Sequence, residues 1–499
     1  MNIRIRRLGV ALLVAYVAVF AKLNYIQVFN AESLNQEPGN NREILRDFTE
    51  PRGTITSADG VLLARSVEVD DQFVRQREFP TGELFGHVTG FFSLEFGAEG
   101  LERSYNDELA GQTAEQELRS FADLFVDKER TGNLTLTMRE DLQALARDQL
   151  GQRQGSVVVI DPRTGEVLAM WSYPSYDPNV LSSHDFDGAR EARDLLLSLD
   201  DPNNAFDRSP LAPASYRERF FPGSTFKVVT GATGVQAGVV TTEEPVYPVV
   251  SSYTPPQTTV PLINFGGSEC GGDLFTVLAR SCNTSFAQMG VEDIGPDRMI
   301  SGAESWGFND TPPLDLPAVA ESVFPTDFTE NIPALAQSAI GQNDVAATPL
   351  QMALVTAGVA NDGVIMAPHV VAEIRDGEGD VLDRADSDVW RQAVDGPTAR
   401  TMREGMIGVV ERPDGTAGSL AIEGMEVGGK TGTAQLGTDP PRSHAWIIGF
   451  AGPPGGQSEV AVAVIVEAEN GASEQTGGSV AGPIARTMMI AALEADDGG

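Results

Sequence analysis

Lysine is nearly missing from this chain. It stands only at Lys22, Lys128, Lys227 and Lys430, and the other 31 of the 35 basic residues are arginine. Arginine keeps its proton at any ordinary pH, whereas a desolvated lysine can lose its proton and act as a base. In a chain that otherwise uses arginine, the surviving lysines are candidates for places where a guanidinium would fail; for Lys128, which sits in no motif, survival by chance is explanation enough. Histidine is as sparse, at His87, His184, His369 and His444, without metal-ligand spacing, and neither CxxC nor HExxH occurs, so no metal and no cofactor are expected. No G-x-S-x-G is present, which argues against a Ser-His-Asp hydrolase. Positive charge is short overall: 71 acidic residues oppose 35 basic ones, a formal net charge of −36. Such a field repels nucleic acid and leaves no basic face for phosphates. A solvated acidic surface is the plain reading of it, and a specific cationic partner is the alternative.

What is present begins with an anchor. Arg4, Arg6 and Arg7 precede a run from Leu8 to Phe29 that only Lys22 and a few polar residues interrupt. Its 22 residues as a helix would span roughly 33 Å, enough for a hydrocarbon core of about 30 Å. The arginines would hold that end in the cytoplasm while Lys22 snorkels toward the far interface. Residues 1–29 are therefore expected to be a cytoplasmic tip and single-pass transmembrane helix in the cell membrane, with the rest extracytoplasmic. The competing reading is a cleaved signal peptide, with Leu8–Phe20 as its apolar core and Val19-Phe20-Ala21 as a cleavage site.

The length of 499 residues suits two soluble domains behind such an anchor. Residues 30–150 mix turns with short apolar stretches, including an alternating strand at Asn133–Thr137 and a helical stripe over Arg139–Leu150. Nothing catalytic stands out there, so this part reads as a pedestal. From Gly155 onward, Ser156–Asp161 and Glu166–Met170 predict a hairpin around a Pro-Arg-Thr-Gly turn. Near the other end, Ala445–Phe450 and Glu459–Val466 read as strands, followed by an apolar helix over Pro483–Leu493. Strands at both ends of residues 151–499 and a Gly/Ala-rich helical middle predict an α+β domain whose sheet joins distant parts of the chain.

Three motifs carry chemistry. In Phe221-Pro-Gly-Ser224-Thr-Phe-Lys227, opening a predicted helix, one turn places Ser224 and Lys227 on the same face. A serine hydroxyl is a weak nucleophile until a neighbouring base takes its proton, and a desolvated lysine can be that base. Ser281-Cys282-Asn283 offers a hydroxyl to relay a proton and an amide to hold a substrate amide. Gly428-Gly-Lys430-Thr431-Gly432-Thr433 offers a cation and a hydroxyl for a carboxylate, and Gly432 clears space for substrate to lie against backbone. Each alone is weak, because Ser and Asn near helix ends are usually caps and a glycine-rich hairpin with one lysine is common. Their order is informative: Ser281 follows Ser224 by 57 positions, and Lys430 follows Ser281 by 149.

S-x-x-K, S-x-N and K-T-G in that order resemble the set shared by β-lactamases and penicillin-binding proteins. The chain is identified as similar to the class B penicillin-binding proteins on further matches along nearly its whole length: Pro51-Arg-Gly, Gly100-Leu-Glu102, Ile160–Ala169 and Gly341–Pro349. The short pedestal and Ala360-Asn-Asp-Gly363 look closest to the actinobacterial penicillin-binding protein A group. The resemblance implies an antiparallel sheet flanked by helices with a helical subdomain, on a smaller dimerisation-like pedestal. It implies Ser224 as the acylated nucleophile, Lys227 as its base and Ser281 as proton relay. It further implies Asn283, Lys430, Thr431, Gly432 and Thr433 as substrate contacts, with the N–H groups of Ser224 and Thr433 as an oxyanion hole.

The implied reaction is peptidoglycan D,D-transpeptidation: attack on a D-alanyl-D-alanine stem peptide, release of D-alanine, and transfer of the acyl group to a neighbouring stem. β-Lactams would acylate the same serine, and glycosyltransferase or division and elongation proteins would be partners at the membrane. A D,D-carboxypeptidase, a β-lactamase and a non-catalytic β-lactam sensor remain alternatives; a β-lactamase would normally lack the anchor and pedestal. Within this picture a bond between Cys270 and Cys282 would tether the second motif, and an extracytoplasmic site permits it. Two free buried thiols are the other possibility.

Overall fold

The computed structural model describes residues 3–29, 48–113, 116, 131–200, 208–438, 442–468 and 475–496. Lys128 and the first residues of the expected pedestal, from 30, lie outside them. The chain divides into two compact units, Met1–Pro51 with Val67–Gln76, and Arg52–Ser66 with Arg77–Gly499.

In the first unit, helix α1 (Ile3–Phe29) leaves Val10, Leu12, Leu13, Val14, Val17, Val19 and Phe20 more than half exposed. The polar residues Lys22, Asn24 and Gln27 interrupt its apolar run. Among the described residues no helix is long and apolar enough to cross a membrane. Phe48 and Phe73 meet edge to face, their ring centroids 6.4 Å apart.

Along the chain follow strands β1 (Ile55–Thr56), β2 (Leu62–Glu68), β3 (Arg75–Glu78) and β4 (Asn133–Leu136), then helix α2 (Glu140–Leu150). The hairpin β5 (Gly155–Ile160) and β6 (Val167–Tyr173) comes next. The middle of the chain is helical: α3 (Lys227–Gln236), α4 (Leu274–Ala279), α5 (Asn283–Gln288) and α6 (Pro349–Ala360). Strands β7 (Val371–Arg375) and β8 (Val381–Arg384) lead to α7 (Gly396–Glu411). Strands β9 (Glu426–Gln435), β10 (Ser443–Gly452) and β11 (Val460–Val466) precede α8 (Gly482–Asp496).

The central sheet has the order β9-β10-β11-β5-β6, antiparallel throughout, so the predicted strands at either end of residues 151–499 do share one sheet. Every residue of β5, β10 and β11 is buried. Side chains alternate between the faces of a strand, so burial at both parities requires cover on both. Helices α6 and α8 each pack on β11, β10 and β5, and α2 joins α8 beside β5 and β6. All twelve residues of α6 are buried, as an apolar sequence without a polar stripe demands.

A second sheet has the order β8-β7-β4-β1-β2-β3. Strands β7 and β8, from beyond residue 370, therefore complete a sheet begun before residue 137, with Leu134 of β4 paired to Ile374 on one side and Ile55 on the other. Beside it Arg52, Arg77 and Glu102 form a buried ion triad. Glu102 accepts from Arg52 Nε at 2.5 Å and Arg77 Nε at 2.6 Å, with all three side chains at most 2% exposed. Burial by itself would raise the Glu102 carboxyl, but the two guanidiniums more than offset it and hold it below the ordinary carboxylate range. The Pro51-Arg-Gly and Gly100-Leu-Glu motifs thus supply two of the triad's three members. Tyr105 reaches Asp315 at 3.1 Å, whose carboxylate also accepts the N–H groups of Val370 and Val371 at the start of β7.

Candidate active site

The chain enters the site through Phe221-Pro222. Gly223–Phe226 form a tight 3-10 turn, and the α-helix proper starts only at Lys227. Ser224 therefore sits in the 3-10 turn that leads into α3, and the three-residue spacing keeps it on the side of Lys227, as the sequence suggests. Gly223 has φ +54°, and a Cβ there would lie 3.0 Å from the Thr433 carbonyl. In a strand the N–H and C=O of one residue point the same way, so the Thr433 N–H also faces the turn that carries Ser224.

Strand β9 is the free edge of the central sheet and lies against that turn. A Cβ on Gly432 would meet the Pro222 carbonyl and Thr225 Cγ2 at 3.0 Å and Trp446 Cβ at 2.9 Å. Any larger residue would push the strand off the turn. Trp446, opposite Gly432 on β10, donates its indole N–H to the Phe221 carbonyl at 3.0 Å and fixes the approach from behind.

The second motif caps α4. Ser281 N–H reaches the Leu278 carbonyl at 3.2 Å and Cys282 N–H reaches Val277 at 2.9 Å, the paired bonds of a Schellman ending. That ending needs a left-handed residue, and Ser281 takes the place with φ +59° where glycine would be easiest. A side chain is needed here, and the strain of about 1–2 kcal/mol is tolerated. Cys282 is disulfide-bonded to Cys270, 12 positions earlier, and Asn283 opens α5.

Both lysines converge on Ser281. Lys227 Nζ donates to the Ser281 carbonyl at 2.8 Å and to Asn283 Oδ1 at 2.6 Å, and stands 3.4 Å from Ser281 Oγ. Lys430 Nζ lies 2.8 Å from the same Oγ and 3.0 Å from the Thr431 carbonyl. Each lysine is fully buried, and no carboxylate pairs with either among the described residues. Burial, and after it the charge of Lys430, pushes Lys227 well below the ordinary lysine value, while burial pushes Lys430 down to about 7. A neutral Lys227 amine has two N–H groups, both spent on carbonyl oxygens, which leaves its lone pair free to accept a proton. Ser224 Oγ has no hydrogen-bond partner among the described residues.

Ser224, Ser281, Asn283, Thr431 and Thr433 line one cavity of about 410 Å³, with Lys227, Lys430 and Gly432 behind its wall. The cavity also uses residues that no motif marks. Thr416 exchanges a hydroxyl hydrogen bond with Thr431 at 2.8 Å, and Asn264, 2% exposed, braces Thr284 of α5 through its N–H at 3.0 Å. Gln342 lies on the Gly341–Pro349 segment, whose Gly341 carbonyl accepts the Gly223 N–H at 2.9 Å. Thr476 and Gly477 close the far side.

Residues 155–490 match the family described as penicillin binding protein transpeptidase domain, and residues 52–134 match the penicillin binding protein A dimerisation domain. The peptidoglycan D,D-transpeptidase PbpA of Mycolicibacterium smegmatis is 39% identical over 508 aligned residues, covering 99% of each chain. The protein of the same name from Mycobacterium tuberculosis is 37% identical over 515, covering 99% of this chain and 100% of its own. Penicillin-binding protein A from M. tuberculosis, solved as a ceftriaxone acyl-enzyme complex, superposes with a TM-score of 0.80 at 36% identity, over 90% of this chain and 100% of that one. With two thirds of its length matched by the transpeptidase domain and nearly all of it by these relatives, the chain belongs to the penicillin-binding protein transpeptidase family.

Proposed function

We propose that this chain is a peptidoglycan D,D-transpeptidase that works through an acyl-enzyme on Ser224 and is acylated there by β-lactams. The observation that carries this reading is the convergence of Lys227 and Lys430 on Ser281 Oγ, with Lys227 stripped of counter-charge. Neutral Lys227 takes the Ser224 proton as Oγ attacks the carbonyl of the penultimate D-alanine. The Ser224 and Thr433 N–H groups hold the oxyanion, each such donor being worth about 2.7–4 kcal/mol. Lys430, as ammonium, and Thr431 hold the terminal carboxylate.

Ser281 Oγ accepts from Lys430, so its own hydrogen is free to go to the departing nitrogen while Lys227 replaces it. The peptide bond breaks, D-alanine leaves with that proton, and the ester remains. The amine of a second stem peptide then attacks the ester and gives its proton back along the same route to Ser224, forming the cross-link. Asn283, already fixed by Lys227 and by the Ile263 carbonyl at 3.0 Å, orients the donor amide.

On this reading residues 1–29 are a cytoplasmic tip and anchor, 30–150 a pedestal and 151–499 the catalytic domain. The anchor is supported by the arginines in the first turns of α1 and by the apolar side chains that α1 leaves exposed. Its partners would be membrane-bound glycosyltransferase and division or elongation proteins. The family match of residues 52–134 to a dimerisation domain supports the pedestal. The deciding experiment incubates the purified protein with stem pentapeptides. A cross-linked dimer with one D-alanine released per link is expected; D-alanine without dimer would make it a carboxypeptidase.

A further inference from the structure

A second cavity, of about 610 Å³, opens where the catalytic cleft ends. Phe221, three residues before Ser224, lines it, and so does Leu436, next to Gln435 of the cleft wall. Its back is Phe220, which meets His444 edge to face at 5.6 Å and carries the Arg208 guanidinium over its ring at 4.3 Å. Arg208 is already committed: Nη2 lies 2.7 Å from the buried Glu467 carboxylate and Nη1 is 4.0 Å from Glu218. Arg219, on the same wall, is exposed and has neither a hydrogen bond nor an ion pair among the described residues. The opposing charge in the lining, Asp344, receives the Asn343 amide at 3.4 Å. Arg219 is one of several exposed arginines without an ion pair among the described residues, Arg103 and Arg298 being others, but it lines a concave site that adjoins the cleft through Phe221 and Leu436.

We infer that this cavity is a carboxylate-binding subsite for a peptidoglycan stem peptide, with Arg219 as the residue that reads the carboxylate. The inference rests on the transpeptidase reading and extends it to substrate choice. Penicillin, which ends close to the acylated serine, does not need this subsite; a stem peptide, longer and acidic, runs past the cleft. A guanidinium offers two parallel donors that fit a carboxylate's geometry. Both the acylated and the attacking stem carry carboxylates, so either could occupy the subsite.

Arg219→Gln and Arg219→Glu test this, since an exposed, unpaired residue can be changed without disturbing the fold. The acylation rate with benzylpenicillin should stay within about twofold of wild type in both. If the donor stem binds here, KM for D-alanine release from a pentapeptide should rise about tenfold in Arg219→Gln, the factor expected on losing one charge-assisted bond, and further in Arg219→Glu. If the acceptor binds here, D-alanine release should be unchanged while the ratio of cross-linked dimer to hydrolysed product falls by a similar factor. Unchanged values in both assays, or equal effects of the two substitutions, would overturn the subsite. A wild-type chain that penicillin does not acylate would instead remove the transpeptidase reading, and this inference with it.

Discussion

On the proposed mechanism Lys227 has to be neutral at the moment Ser224 attacks, and a guanidinium with a pKa above about 12 cannot be. Lys227→Arg should therefore lower penicillin acylation by about 10²- to 10⁴-fold while the circular dichroism spectrum is retained. Substantial labelling of the folded variant by fluorescent penicillin would reduce Lys227 to a structural cation. The two lysines also set opposite limbs of a pH profile. Lys227 must have lost its proton, so acylation falls at low pH as it is protonated. Lys430 must keep its proton to attract a carboxylate, and with its value near 7 in the free protein, kcat/KM for acylation should fall as pH rises through about 7. Lys430→Arg should move that alkaline limb upward by more than a pH unit; an unmoved limb would assign it to another group. These proposed roles are suggested by the sequence because lysine is otherwise avoided and each of the two falls in a motif. Thr416 and Asn264 are not legible: a threonine after a turn and an asparagine ahead of Phe-Gly-Gly carry no local mark, and only packing brings them to Thr431 and α5.

At the scale of elements, the site depends on three short pieces held at fixed separations: the 223–226 turn, the end of α4, and the β9 edge. The middle piece is the one under backbone strain, with Ser281 left-handed and Cys282 pinned to Cys270. In the chain-entropy model a loop of this length contributes about 3 kcal/mol when closed. Replacing both cysteines by serine should lower stability to chemical denaturation by about that amount and slow acylation, because Ser281 loses its tether. An unchanged acylation rate in the destabilised protein would show that the Schellman ending alone places Ser281. Sequence periodicity located β5, β6, β10, β11 and α8 within a few residues, since apolar residues dominate each of them. The helix expected to open at the Ser224 motif does so through the 3-10 turn Gly223–Phe226, which Pro222 and Gly223 favour, before α3 begins at Lys227.

For the whole molecule, the unreadable part is long-range pairing. Strands β7 and β8 look like any surface hairpin in the sequence, yet β7 pairs with β4 some 240 residues away, as the Asn133 to Asp376 bond shows across a separation of 243. Local pattern fixes that a strand forms, not which edge it completes. The proposed anchor is the reverse case, an expectation from sequence that no described helix meets by length and apolarity, and sedimentation tests it. Full-length protein should sediment with membranes, and a chain starting at residue 30 should stay in the supernatant with the same penicillin reactivity. Full-length protein in the supernatant would remove the anchor. The central claim is an acyl-enzyme on Ser224 that water cannot quickly clear, and intact-mass measurement over time after adding benzylpenicillin tests it most directly. The account predicts a gain equal to one antibiotic molecule, mapping to the peptide with Ser224, persisting for many catalytic lifetimes and absent in Ser224→Ala. A gain on another residue, or a return to the original mass within seconds, would contradict it.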